Sequence, residues 1–291
     1  MKLKEKINGG KFAILAEIEP PKGSDTTNMV KNATRVKGVV DAFIVPEMSN
    51  AVMRMSALGG ALILQGRGME TVMQICCRDR NRLALQADIL AANGCGITNI
   101  MAVTGEDTGF GDHHQARDVY DIKQIELLQA IQKLQSGRDM AGIELEGSPE
   151  FLVGSVANAG AGGKNLDREM VEMDAKIMAG CEFFIIPPVF DLGAVKPFLD
   201  RIEERNARVI PTVLLLKSLG MARYITRNMD NVHIPNEIIK RIQKAPDKAR
   251  ECVHLASEMV AAIKKAGFPG VNLVTIGWEK KIPEILGGMG V

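Results

Sequence analysis

The chain has 291 residues, more than an average single domain but an ordinary length for one α/β barrel. Hydrophobic residues make up 46% and charged residues 24%, the balance of a folded domain rather than a disordered segment. Lys plus Arg number 36 against 35 Asp plus Glu, so no overall field recruits nucleic acid or an anionic membrane surface, and any ligand must be recognised locally.

The basic opening MKLKEKINGG leads into a short apolar stretch that carries two glutamates and lacks a small-residue cleavage site, so no signal peptide is expected. That stretch, FAILAEIE (12–19), is the first expected strand, closed by Pro20 and Pro21. Strands DAFIVP (41–46), TVMQICC (71–77) and ITNIMAV (97–103) follow, with a helical pattern in RNRLALQADILAANG (80–94) between the last two. Next come a helix in IKQIELLQAIQKLQSG (122–137), the strand FLVGSV (151–156), and a helix in DREMVEMDAKIMAG (167–180). The series finishes with EFFIIPP (182–188), a helix in VKPFLDRIEERNA (195–207), RVIPTVLLL (208–216) and VNLVTI (271–276). Several of the helical patterns end in Gly or Asn-Gly, a C-cap signal. GWEKKIPEILGGMGV (277–291) reads as a last barrel helix with a glycine-rich tail.

Eight strand–helix units without a linker-like break predict a single (β/α)8 TIM barrel over residues 1–291. A doubly wound sheet fits less well, because no G-x-G-x-x-G follows the first strand. No run of about 18 uncharged apolar residues occurs, so no spanning helix is expected. The cysteines at 76, 77, 95, 181 and 252 are odd in number and lack C-x-x-C spacing, which points to the reducing cytoplasm rather than a disulfide framework or a self-contained metal site. His113 and His114 have no acidic or cysteine partners at ligand spacing, and no metal is expected. Cys76 and Cys77, the sixteen methionines and the arginines of CRDRNR and MARYITRN read as core filling and as loop or helix-start charges.

Barrel residues at the C-terminal strand ends line the active-site mouth, which gives Glu17 and Glu19 a meaning. Two apart on one strand, they point to the same side, either into the barrel mouth or towards the helices. An inward carboxyl acquires a raised pKa and the capacity of a general acid; a pair beyond the strand end simply meets solvent. The Gly-rich NAGAGGKN (158–165) is not a P-loop, since Asn165 rather than Ser or Thr follows Lys164. The helix expected from near Asn165 can still aim its first N–H groups at a phosphate.

Four segments together resemble the methylenetetrahydrofolate reductase family, flavin-dependent barrel enzymes of one-carbon metabolism. They are AEIEPPKG, QICCRDRNRLALQADILAANGCGITNIMAVTGE, GDHHQARDVYD and DAKIMAGCEFFIIPPVFD, in the family's order and over nearly the full length. The resemblance implies reduction of 5,10-methylenetetrahydrofolate to 5-methyltetrahydrofolate, in the service of methionine biosynthesis, with Glu17 as the catalytic acid. It implies cofactor contacts from Gln74, from Thr104, Gly105 and Glu106, from Tyr120 and Asp121, and from Glu169, Glu172 and Lys176. Lys176 is the phosphate candidate. Glu19, Pro187, Leu219 and Trp278 fall on the substrate side. Pro187 stands where the family has a pteridine-reading glutamine and Trp278 near a tail-binding arginine, while Val156, Ala157 and Gly160 replace polar or aromatic groups beside the adenosine. The cofactor that the resemblance implies is FAD, and these replacements make FMN the alternative. Electrons come from NAD(P)H or a partner redox protein, and an oligomer is expected. The competing readings are a pterin-binding methyltransferase-type barrel and a non-catalytic subunit of a redox complex.

Overall fold

The computed structural model describes residues 1–205, 207–229 and 232–287. Eight parallel strands close a barrel in sequence order: β1 (Ala13–Glu17), β2 (Ala42–Val45), β3 (Thr71–Cys76), β4 (Asn99–Val103), β5 (Leu152–Val156), β6 (Phe183–Pro188), β7 (Arg208–Leu214) and β8 (Gly270–Val274). β1 bonds to both β2 and β8, which completes the ring. Every strand expected from the sequence is present, and the fold is the (β/α)8 TIM barrel.

The helices that use this closure to bury their apolar stripes are α2 (Thr27–Arg35), α3 (Ala57–Gln65), α4 (Arg82–Gly94), α5 (Gln124–Gln135), α6 (Lys164–Met178), α7 (Lys196–Ile202), α8 (Leu219–Asn228), α9 (Asn236–Lys244), α10 (Lys248–Lys265) and α11 (Ile282–Gly287); a short α1 (Leu3–Asn8) precedes β1. Side chains start them: Asn81 Oδ1 accepts from the Leu83 and Ala84 amides at 3.1 Å each, and Ser56 and Ser218 cap α3 and α8 in the same way. No described helix is long and apolar enough to cross a membrane.

Strand side chains divide with period two into two apolar sets. Leu15, Ile44, Val72, Met101, Leu152, Phe183 and Ile210 fill the barrel interior. Ala16, Phe43, Val45, Met73, Ile100 and Phe184 face outward into the helices. Strands buried on both faces read as continuous apolar runs, which is why AFIV of β2 is buried at all four positions. Gly154 makes room for the interior ring of Phe183: a Cβ there would lie 2.2 Å from the ring.

The N-terminal end of the barrel is stoppered by α1. Leu3 and Ile7, one turn apart, join the interior cluster. The Leu3 amide donates to the Glu70 carboxylate at 3.0 Å, and Lys6 pairs with Asp41 at 2.6 Å. Glu70 and Asp41 each stand just before a strand, so this helix caps the end opposite the site.

Candidate functional site

At the C-terminal ends of the strands lies a cavity of about 1420 Å³. Small-molecule pockets run to about 300–1,000 Å³, so the space accommodates more than one ligand or a ligand with a cofactor.

Glu17 is the last residue of β1 and lies two beyond the inward Leu15, so it too faces inward, onto the cavity. No described residue bonds to its carboxyl. Burial, then the charges of Glu19 and Glu106, raise its pKa to about 7. Glu19, past the strand end, also lines the cavity and pairs with Arg54 at 3.0 Å.

Gln74 of β3 lines the cavity; its Oε1 accepts the Glu47 amide at 3.2 Å, and its Nε2 donates to no described residue. Glu47 is buried, accepts the Ala57 amide at 2.8 Å, and has a pKa raised by burial against the opposing pull of Arg80.

Thr104 and Glu106 line the cavity from the loop after β4, and Gly105 lies behind them. Gly105 has φ +89°, and a Cβ there would sit 2.3 Å from Cys76 Sγ. The loop is anchored from below: Cys76 Sγ donates to the Thr104 carbonyl at 3.2 Å, and Arg78 Nη1 donates to the Glu106 carbonyl at 3.1 Å. Arg78 is 1% exposed and held in bidentate fashion by Asp79, both bonds 2.8 Å. Cys76 and Cys77 are buried, their thiols pushed up to about 11 and about 12 by desolvation.

Tyr120 and Asp121 do not line the cavity. The Tyr120 hydroxyl donates to the Gly105 carbonyl at 3.2 Å, bracing the loop from outside. Asp121 accepts from Arg82 Nε and the Arg82 amide at 2.9 Å, which lowers its pKa and fastens the start of α4.

On the opposite wall Glu169, Glu172 and Lys176 of α6 all line the cavity. Lys176 is 2% exposed and already engaged, donating to the Val156 carbonyl at 3.0 Å and pairing with Glu172 at 2.8 Å. Glu169 accepts the Asn158 amide at 2.9 Å. At the α6 N-terminus the Asn165 and Leu166 amides close back on Gly162 and Gly163, and Asp167 in the first turn pairs with Arg201 at 3.0 Å, which leaves fewer free donors there for a phosphate.

Pro187 lines the cavity, but Leu219 and Trp278 do not. Leu219 packs into the outer core at the start of α8. Trp278 also packs there, with Lys217 Nζ 5.4 Å from its ring centroid. Sequence reasoning missed Arg54, Arg78, Asn158, Asn272 and Glu279. Of these only Glu279, next to Trp278 just past the last strand, had a positional signal.

Several solved structures share this architecture. An uncharacterized protein from Clostridium thermocellum that binds two copies of 5-methyl-5,6,7,8-tetrahydrofolic acid aligns with a TM-score of 0.66 at 18% identity, over 97% of each chain. EDTA monooxygenase from Chelativorans sp. BNC1 aligns at 0.57 and 10% identity over 95% of this chain and 93% of that one. A 2,3-dimethylmalate lyase of the PEP mutase/isocitrate lyase superfamily aligns at 0.55 and 8% identity over 98% and 82%. At these identities the likeness is one of fold. No curated protein matches the sequence. The model of the methylenetetrahydrofolate reductase family, by contrast, matches residues 2–290, and the chain belongs to that family.

Proposed function

We propose that the chain reduces a methylene group carried on a folate-type pterin to a methyl group, with a flavin as hydride source and Glu17 as proton donor. Family membership supports folate-linked one-carbon reduction, and the Clostridium thermocellum protein of the same fold binds a methylated member of that ligand class. The observation that carries the assignment is Glu17, an inward carboxyl at a strand's C-terminal end, bonded to no described residue and poised near neutrality.

The wall suits part of a flavin. Gln74 offers free amide donors and Thr104 a hydroxyl to a ring edge of carbonyls and ring nitrogens, while Glu169 and Glu172 offer acceptors to the hydroxyls of a ribityl chain. Phosphates suit it less, because Arg54 and Lys176 are already paired with Glu19 and Glu172. They belong beyond the cavity lining, and FAD and FMN differ only there. Bound and reduced, a flavin supplies the hydride.

Glu17 supplies the proton. Delivered to the substrate nitrogen as its bond to the bridging carbon opens, that proton leaves the carbon as an electrophile, and hydride addition completes the methyl group. Glu19 and Glu106 assist burial in holding a proton on part of the Glu17 population near neutral pH. Arg54 holds Glu19 in position.

Reconstitution with FAD and with FMN, followed by visible spectroscopy and single turnover with the methylene substrate, tests this reading. Glu17→Gln retains flavin and loses about 10²–10⁴-fold in turnover. Retained turnover removes Glu17 from its role. NADH and NADPH oxidation by the same preparation separates direct nicotinamide use from delivery by a partner. The paired state of both wall cations favours a second reading, a flavin-free pterin-binding barrel that transfers methyl groups. A protein that binds methyl-folate yet takes up neither flavin establishes it.

A further inference from the structure

Two side chains on the β8 wall are almost wholly buried and carry an acceptor that no described residue meets. Asn272 is 2% exposed and Glu279 3% exposed, and both line the cavity. Asn272 Nδ2 donates to Thr212 Oγ1 at 3.2 Å, while its Oδ1 has no partner. Glu279 Oε1 accepts from Thr275 Oγ1 at 3.2 Å and from the Gly277 amide at 2.8 Å, while its Oε2 has none. Buried acceptors left without donors are destabilising, and native proteins keep few of them without a use.

The rest of the wall favours the same kind of occupant. Besides Glu17, five carboxylates, those of Glu19, Glu106, Glu169, Glu172 and Glu279, face two cations, Arg54 and Lys176. Both cations are spent on Glu19 and Glu172. Such a lining repels an anion and rewards a ligand face rich in N–H donors.

We propose that β8 and the turn after it form the subsite for the nitrogen-donor edge of the ligand, Glu279 Oε2 accepting one N–H and Asn272 Oδ1 another from the same molecule. In a pterin that edge is the 2-amino group with the adjacent ring N–H. The subsite rests on the folate-type reading and deepens it: the pterin's donor edge is read from β8, and any anionic tail stays outside the acidic lining.

The test uses two reduced probes, 6-methyltetrahydropterin and the corresponding lumazine with oxygen in place of the 2-amino group. Each is titrated anaerobically into wild type and Glu279→Gln. In the variant the amide oxygen keeps the Thr275 and Gly277 donors, and its NH2 turns to the ligand, donor against donor. Wild type is expected to prefer the pterin by about 10- to 100-fold, and the variant to lose or reverse that preference at an unchanged melting temperature. Equal binding of both probes by wild type overturns the subsite without recourse to any variant, as does a variant that keeps the full preference. In both cases pterin binding itself still stands. A wild type that binds neither probe overturns the folate-type reading, and the subsite with it.

Discussion

Glu17 holds its proton up to near neutral pH because burial disfavours the charge and two neighbouring carboxylates add repulsion. One of those neighbours, Glu106, is held in place by Gly105, whose φ of +89° and 2.3 Å Cβ approach to Cys76 Sγ admit no side chain. Gly105→Ala is expected to cost about 1–3 kcal/mol and to displace Glu106. The pH midpoint of turnover set by Glu17 then moves down, and a pH–rate profile beside a thermal melt checks both effects. A midpoint that stays put shows that this loop does not sustain the acid. For Glu17 the sequence marked a strand end and a shared side with Glu19 but left that side open; it is inward because Leu15, two residues back, lies inside the closed barrel. Arg78 was not legible, since it looks like one more surface charge in CRDRNR. Its backbone partners are the carbonyls of Glu106 and Met48, 28 residues ahead and 30 behind, where no spacing rule reaches. Asn272 and Glu279 likewise become unmatched acceptors only once the barrel has closed around them.

At the scale of elements, the eight strands stood out because each is buried on both faces and must be apolar almost throughout. The helix after β5 was legible as a helix, but its suggested phosphate-binding end was not: the chemistry depends on where the first amides point, and they are turned into their own loop. Helix α1 went unread because six residues are too few to show a period. Its importance lies in packing, with Leu3 0% exposed among the interior side chains. Leu3→Ala is expected to lower unfolding stability by about 2–4 kcal/mol through the lost transfer and the cavity left behind. Urea titration reads this as a lower midpoint at unchanged slope. An unchanged midpoint means that α1 does not seat on the barrel.

For the molecule as a whole, a formal net charge of +1 conceals a division: the cavity lining is strongly acidic, and the balancing cations lie elsewhere. Composition averages over this and gave no hint of it. The raised Glu17 pKa has a global consequence whose sign is fixed. With a native value of about 7 against 4.5 for the free group, the folded state binds more protons between those values, so stability is full below 4.5 and declines as pH rises through 7. Glu17→Gln removes the decline, and the variant should gain on the order of 1–3 kcal/mol over wild type at pH 8 and little at pH 4. Paired melts at the two pH values measure the difference, and equal gains at both refute the linkage. The stopper at the base of the barrel has a consequence of another kind. With that end packed shut, ligands reach the cavity from the C-terminal face of the barrel, and two that stacked there would leave in the reverse of the order in which they entered. Were a cofactor and a substrate to stack in this cavity, excess substrate would slow exchange of whatever lay beneath it.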